Sequence, residues 1–357
     1  MDSRERTFLA LAHEVGDRIP IDFWASGAMI GKLARSHGFP HEQYLDRYDI
    51  DLRYIPGPEY IGPPLEDGHD IWGVRRTVVE VDVTGGTESY KEVIESPLAH
   101  MESVEQIEGY AHWPSADAFE YGDIERQCEA VRNAGRVVVF MGDRLNRVAQ
   151  LKPAMYLRGL ENTFVDVALR PEIIQAIVGR IKSFYLAYLE RILEAGKTKI
   201  DIVLTGDDFG SQNGMLISPE AWRALIEPGF REYIALVKSY GATAMHHTCG
   251  SVVDIIPDMV ACGLDVLQSI QPEAANMSLV DLKARFGQDL CFHGGISIQR
   301  TMPFGTPQAV RQEVERIASI FKADGGYIFG TAHNIQVDTS VENVQALLEA
   351  YHAYGAC

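Results

Sequence analysis

The 357-residue chain is short of basic side chains, with 32 lysines and arginines against 50 aspartates and glutamates, a formal charge of -18. Nucleic acid and anionic membrane surfaces reward a basic face, so neither is expected as the main partner. A polyanionic small substrate is disfavoured too, although a local basic pocket can override the average. No apolar run approaches the roughly 18 residues needed to cross a bilayer. The opening "MDSRERTFLALAHEVGDRIP" has charges among its first residues and no long apolar stretch, unlike a secretory signal. Cysteine is scarce: Cys128, Cys249, Cys262, Cys291 and Cys357 are odd in number and widely spread. That usage points to a reduced, cytoplasmic setting, where a notable cysteine is metal-binding or catalytic more often than disulfide-bonded. There is no low-complexity tract, charge block, Pro/Ser linker or fixed-period repeat, so one domain over residues 1–357 is expected.

Hydrophobic residues make up 46% of the chain, ample for a large core. They fall in short runs that alternate with helical patterns. The expected strands are "RIPIDFW" (18–24), "DIDLRYI" (49–55), "RVVVFMGD" (136–143), "KIDIVLTGDD" (199–208), "ATAMHHTC" (242–249), "LDVLQSI" (264–270), "DLCFHGG" (289–295) and "GGYIFGT" (325–331). The helix-like segments 171–196 and 218–241 each have a proline near the first turn and a glycine at the end. Such alternation implies βα units and a parallel sheet, and about eight strands fit a (β/α)8 barrel of the TIM type. An open doubly wound sheet is the alternative, but no Gly-x-Gly-x-x-Gly follows an early strand. Residues 71–98 break the rhythm: their alternation and Thr-Gly-Gly turn predict an antiparallel hairpin near the barrel mouth.

Barrel chemistry sits at the C-terminal strand ends. In "MHHTCG", His247 and Cys249 are two residues apart and project from one face of a strand, while His246 points the other way. Imidazole and thiolate are zinc ligands. A lone His-x-Cys is nonetheless more often a buried cysteine beside a hydrogen-bonded histidine. Other strand ends add to the signal: His333 with Gln336 and Asp338, His293 in "CFHGGI", Asp207 and Asp208 beside Gln212, and Asp49 and Asp51 in "DID". Zinc on His247, Cys249 and His333 would have three protein ligands and one open position, the pattern of a catalytic site. Cys262 and Cys291 read as core, Cys128 follows a helical pattern and Cys357 is terminal.

Across "SRERTFLALAHEVGDRIPIDFW", "YLRGLENTFVDVALRPEII", "GDDFGSQNGMLISPEAWRALIEPGFREYIALVKSYGA", "HHTCGSVVDIIPDMVACGLDVLQSIQP" and the last fifty-odd residues, the chain resembles the uroporphyrinogen decarboxylase superfamily. The closer resemblance is to its corrinoid-linked branch, which includes methylcobamide:coenzyme M methyltransferases. Two departures matter. The Arg-Gln-Ala-Gly-Arg segment that grips a porphyrinogen's carboxylates is absent, and "DFWASGAMIGKLAR" stands in its place. The zinc-binding relatives pair His-x-Cys with a later cysteine, and that cysteine falls on His333. A neutral imidazole in place of a thiolate raises the charge at the metal by one, making a metal-bound thiolate a poorer nucleophile and the ion a stronger Lewis acid.

The resemblance thus implies a zinc methyltransferase moving a methyl group between a small substrate and a methylcobamide on a separate corrinoid protein, as a homodimer. No Asp-x-His-x-x-Gly corrinoid-binding segment occurs in the chain itself. Asp208 and Gln212 would orient substrate or complete the metal shell, with Asp207 and Gln336 as further substrate contacts and His293 as an acid/base or supporting group. The alternative is a metal-independent decarboxylase or lyase using Asp51, loosely matched to the family's decarboxylation aspartate. A barrel that binds a metabolite without turnover is the third reading.

Overall fold

The computed structural model describes residues 1–142 and 147–357. Seven parallel strands form the central sheet, interleaved with helices. They are β1 (Leu52–Ile55), β4 (Val137–Phe140), β5 (Ile202–Gly206), β6 (Thr243–His247), β7 (Val266–Ile270), β8 (Cys291–Gly294) and β9 (Tyr327–Ile328), paired in that order. β2 (Arg75–Val83) and β3 (Gly86–Glu95) form a separate antiparallel hairpin. Each strand of the sheet lies within an expected apolar run; the end of the 136–143 run, Asp143, falls outside the described residues.

The eighth position is filled by the first expected strand, residues 18–24, as a bridging segment rather than a regular strand. Pro20 has no amide to give a ladder, and Ile19 N donates instead to Gly355 O. On one side Phe329 N donates to Pro20 O (2.8 Å) and Asp22 N to Phe329 O (2.9 Å). On the other, Asp51 N donates to Ile21 O at 3.0 Å. The sheet therefore closes into a TIM-type α/β barrel. Its lower interior is filled by Leu52, Val137, Val139, Ile202, Leu204, Met245, Val266, Cys291 and Ile328, inward-facing residues of successive strands. A larger apolar layer packs between the strands and the outer helices.

The expected helix at 171–196 is continuous (Pro171–Gly196). The one at 218–241 is split at Ile226 into Pro219–Leu225 and Glu227–Ser239, because Pro228 removes the amide that would bond back to Ala224. No helix among the described residues is long and apolar enough to cross a membrane. The hairpin is solvent-exposed over most of its length but is pinned by Glu88, which is 5% exposed. Its Oε1 accepts from Ser26 Oγ (2.6 Å) and Val337 N (2.8 Å), holding the hairpin against the mouth.

Asp51 is not an active-site acid. It precedes β1 and so lies at the N-terminal end of the barrel, opposite the face where the strands end. It is fully buried and paired with Arg6 (2.7 Å) and Arg18 (2.6 Å), and its Oδ2 accepts the amide of Ile21 (2.8 Å). Asp49 belongs to the same end and pairs with Arg18 and Arg136. Both carboxylates help close the ring. Removing one partner of a buried ion pair leaves an uncompensated charge, at a typical cost of about 3–5 kcal/mol. Asp51→Asn should therefore lower unfolding free energy by about 3 kcal/mol in urea titration, with the metal content of the folded protein unchanged.

Candidate metal centre

β6 alternates, so Met245 and His247 face the barrel interior while His246 faces outward. His246 stacks on Phe209 (ring centroids 5.3 Å, 15°) and meets Thr205 Oγ1 at 2.8 Å; burial lowers its pKa to about 3. It is a core residue. Three residues beyond His247 the chain turns sharply at Gly250 (φ 76°), where a Cβ would come within 2.5 Å of the Gly210 backbone. Cys249, immediately before that turn, has its Sγ 3.4 Å from His247 Nε2. His333, in the loop after β9, completes the group: ligand atoms of His247, Cys249 and His333 all lie within 4.8 Å of one another.

The donor set fits a metal. In tetrahedral zinc sites with usual bond lengths, nitrogen and sulfur ligands stand about 3.6 Å apart, close to the 3.4 Å between His247 and Cys249. Gln268 Oε1 holds His247 Nδ1 at 2.6 Å, which leaves Nε2 as the ligand nitrogen. His333 Nδ1 lies against Asn334, between its backbone amide (2.8 Å) and its side-chain oxygen; the tautomer in which Nδ1 donates to that oxygen is the one that leaves Nε2 free as a ligand atom.

Asp208 joins the cluster. Its Oδ1 accepts from Cys249 N (3.2 Å) and lies 3.7 Å from His247 Nε2, while Oδ2 pairs with Lys152. Burial alone would raise the Asp208 pKa, but the Lys152 ammonium opposes it and holds the carboxyl below its ordinary value. Burial, then the nearby Asp208, pushes the Cys249 thiol up to about 12. Burial lowers His247 and His333, the former also through His333. Without a metal the cluster is thus a neutral thiol beside two neutral imidazoles.

The cluster opens onto a cavity of about 340 Å³ lined in part by Trp24, Met141, Arg147, Lys152, Tyr156 and Gln336. Trp24 stands 5.5 Å from both ligand histidines, with the Arg147 guanidinium over its ring at 5.4 Å. Arg76, from the hairpin, pairs with Asp70 (2.8 Å) and covers Tyr156 (4.4 Å). The hairpin therefore forms part of the cavity wall.

Of the other expected residues, Gln336 lines the cavity, and three stand elsewhere. Asp207 is 2% exposed and points away from the opening. It accepts the amides of Gln150, Leu151 and Lys152 (2.6–2.7 Å), capping the helix Leu151–Arg158, so it places Lys152 rather than touching substrate. Burial pushes it up to about 7 against the pull of those three amides. Gln212 sits in an exposed loop outside the cavity lining, where its carbonyl accepts from Ala275 N. His293 is 1% exposed in the layer below the cavity, bonded to Asp22 (2.9 Å). The sequence reading missed Trp24, Lys152, Gln268 and Asp22. Gln268 and Asp22 had a signal, being polar positions inside apolar strand runs.

The uroporphyrinogen decarboxylase (URO-D) family model matches residues 94–354, and the chain belongs to this family. A uroporphyrinogen decarboxylase of Vesicomyosocius okutanii is 22% identical over 189 residues, 52% of this chain and 50% of that protein. The methylcobamide:CoM methyltransferase MtaA of Methanosarcina barkeri is 27% identical over 174 residues, 48% and 46% of the two chains. The chain spans about half the length of the curated relatives it matches. A methyltransferase structure from Methanosarcina mazei superposes over 100% of both chains with a TM-score of 0.72 at 17% identity, which establishes the shared fold.

A metal can bind Cys249 only as thiolate, whereas both histidines are already neutral at pH 7. Metal uptake at pH 7.5 should therefore release about one proton per ion, read by calorimetry in buffers of different ionisation enthalpy. Apparent affinity should rise about tenfold per pH unit between pH 7 and 9. Cys249→Ala should abolish the proton release.

Proposed function

We propose that the protein is a zinc-dependent methyltransferase that moves a methyl group between a small substrate and a corrinoid carried on a separate protein. The observation that carries this reading is the convergence of His247, Cys249 and His333 beside a cavity that the two histidines line, three ligands that leave a coordination position for a substrate heteroatom. The likeness to MtaA and to the M. mazei methyltransferase supports it. Zinc held there supplies a Lewis acid that polarises the heteroatom carrying or receiving the methyl group. The cavity lies at the small end of the range for small-molecule sites, which suits a compact substrate.

The chain's own groups do the positioning. Gln268 Oε1 fixes the His247 ring, and the Asn334 side-chain oxygen can do the same for His333 by accepting from its Nδ1. Lys152 balances Asp208, so the carboxylate beside the cluster can remain charged in a buried setting. Trp24 and Tyr156 line the cavity. The alternative lyase reading loses its proposed acid, because Asp51 lies at the other end of the barrel.

The test is methyl exchange with free cobalamin, followed by the visible absorbance change as the cobalt–carbon bond forms or breaks. Methylcobalamin with thiol acceptors, and cob(I)alamin with methoxy or methylamine donors, cover both directions of transfer. Zinc-loaded wild type should turn over at least one pair, and Cys249→Ala and His333→Ala should each lose at least about 100-fold. Asp51→Asn should keep the wild-type rate. Fully zinc-loaded protein that is inert in every pair, or equal rates in wild type and Cys249→Ala, would overturn the proposal.

A further inference from the structure

Below the metal cluster runs a row of inward-facing polar side chains that methyl transfer as drawn does not use. His247, Gln268 and His293 lie on three adjacent strands, with His247 and Gln268 in register and Gln268 and His293 in register. They are 3%, 1% and 1% exposed. At one end, His247 Nδ1 meets Gln268 Oε1 at 2.6 Å. At the other, His293 Nε2 lies 2.9 Å from Asp22 Oδ2, and Tyr54 donates its hydroxyl to the same oxygen at 2.6 Å. Burial and the Asp22 carboxylate push the Tyr54 pKa well above its usual value, so it stays a donor.

Two enclosed atoms of this row have no partner among the described residues: Gln268 Nε2 and His293 Nδ1. They belong to side chains already neighbours across the β7–β8 ladder. A carboxylate only accepts, so His293 carries its proton on Nε2, and in the neutral ring Nδ1 is an acceptor. An amide NH₂ only donates. The two atoms are complementary, and buried polar groups are satisfied as a rule.

We infer that Gln268 Nε2 donates to His293 Nδ1, directly or through one enclosed water, so that His247, Gln268, His293 and Asp22 form a one-way hydrogen-bond relay. Every donor in the relay points toward Asp22, and the carboxylate sets the direction of the whole row. A reversed Gln268 amide would face His247 Nδ1 with a donor, move the ring proton to Nε2 and block the metal-binding lone pair. The same reversal would set Oε1 against His293 Nδ1, acceptor against acceptor. Gly330 leaves room for the His293 ring: a Cβ there would come within 3.0 Å of His293 Cε1. Asp22, His293 and Gln268 are therefore positioning residues that hold His247 in the tautomer a metal needs.

The relay's direction stands on its own geometry, whereas its consequence for the metal rests on the function proposed above. The experiment separates the two. Full-length protein labelled with ¹⁵N-histidine is studied metal-free at pH 7.5 by long-range ¹H–¹⁵N correlation, with His247→Gln and His293→Gln for assignment. His247 should carry its proton on Nδ1 and His293 on Nε2. Asp22→Asn should mix or invert both tautomers. Zinc affinity, measured against a competing chelator, should fall at least about tenfold in Asp22→Asn and in Gln268→Leu. Gln268→Glu, which keeps an acceptor for His247 Nδ1, should retain affinity and carries the test if Asp22→Asn does not fold. A His247 proton on Nε2, a doubly protonated His293, or equal affinities in Gln268→Leu and wild type would overturn the relay. The predicted tautomers in a wild type that takes up no zinc would support the relay and sink the metal reading instead.

Discussion

Closure of the barrel by residues 18–25 is the constraint on which the site depends. Asp51 grips that segment through Arg18 and the Ile21 amide, and Phe329 bonds it on the other side. Ala25 continues it with a parallel bridge to Ile335, in the loop that carries His333. One alternating stretch therefore sends Asp22 into the barrel beneath the cluster and sets Trp24 beside both ligand histidines. A carboxylate at the far end of the barrel thus anchors the segment that carries Asp22 and Trp24, contributing to the stability of the fold and taking no part in the centre's chemistry.

The centre's electrostatics follow from burial. A thiol pushed up to about 12 and two imidazoles kept neutral are poor nucleophiles and poor acids near neutral pH. Their shared property is the ability to ligate a divalent ion, which converts the thiol to thiolate and offsets the cost of burying charge. The exposed surface of an acidic protein has little bearing on this. What governs the site is its local set: Lys152 against Asp208, Arg76 against Asp70, and Arg147 over Trp24.

Much of the architecture was legible because apolar runs of strand length are hard to hide: all eight barrel positions, and the hairpin at 71–98, were visible in the sequence. What was not legible had local causes. Pro20 turned a strand into a bridge, and Pro228 divided a helix. At the site, the two-residue spacing of His247 and Cys249 and the place of His333 after the last strand were readable, and the fold gathers those three. Asp207 and Asp208 are consecutive, so one had to turn inward to cap a helix, and only the fold decides which. Asp51 was misplaced because an acidic residue flanks an apolar run equally well at either end; chain direction puts it at the N-terminal end. Lys152 had no local signal, since its partner is 56 residues away.

The central claim is that His247, Cys249 and His333 hold one metal ion and leave a position for substrate. Zinc K-edge X-ray absorption on the stoichiometrically loaded protein tests it most directly. One sulfur at about 2.3 Å and two imidazole nitrogens at about 2.0–2.1 Å, with the sulfur contribution lost in Cys249→Ala, is the predicted result. A shell of oxygen and nitrogen alone, or a sulfur signal that persists in Cys249→Ala, would contradict the account.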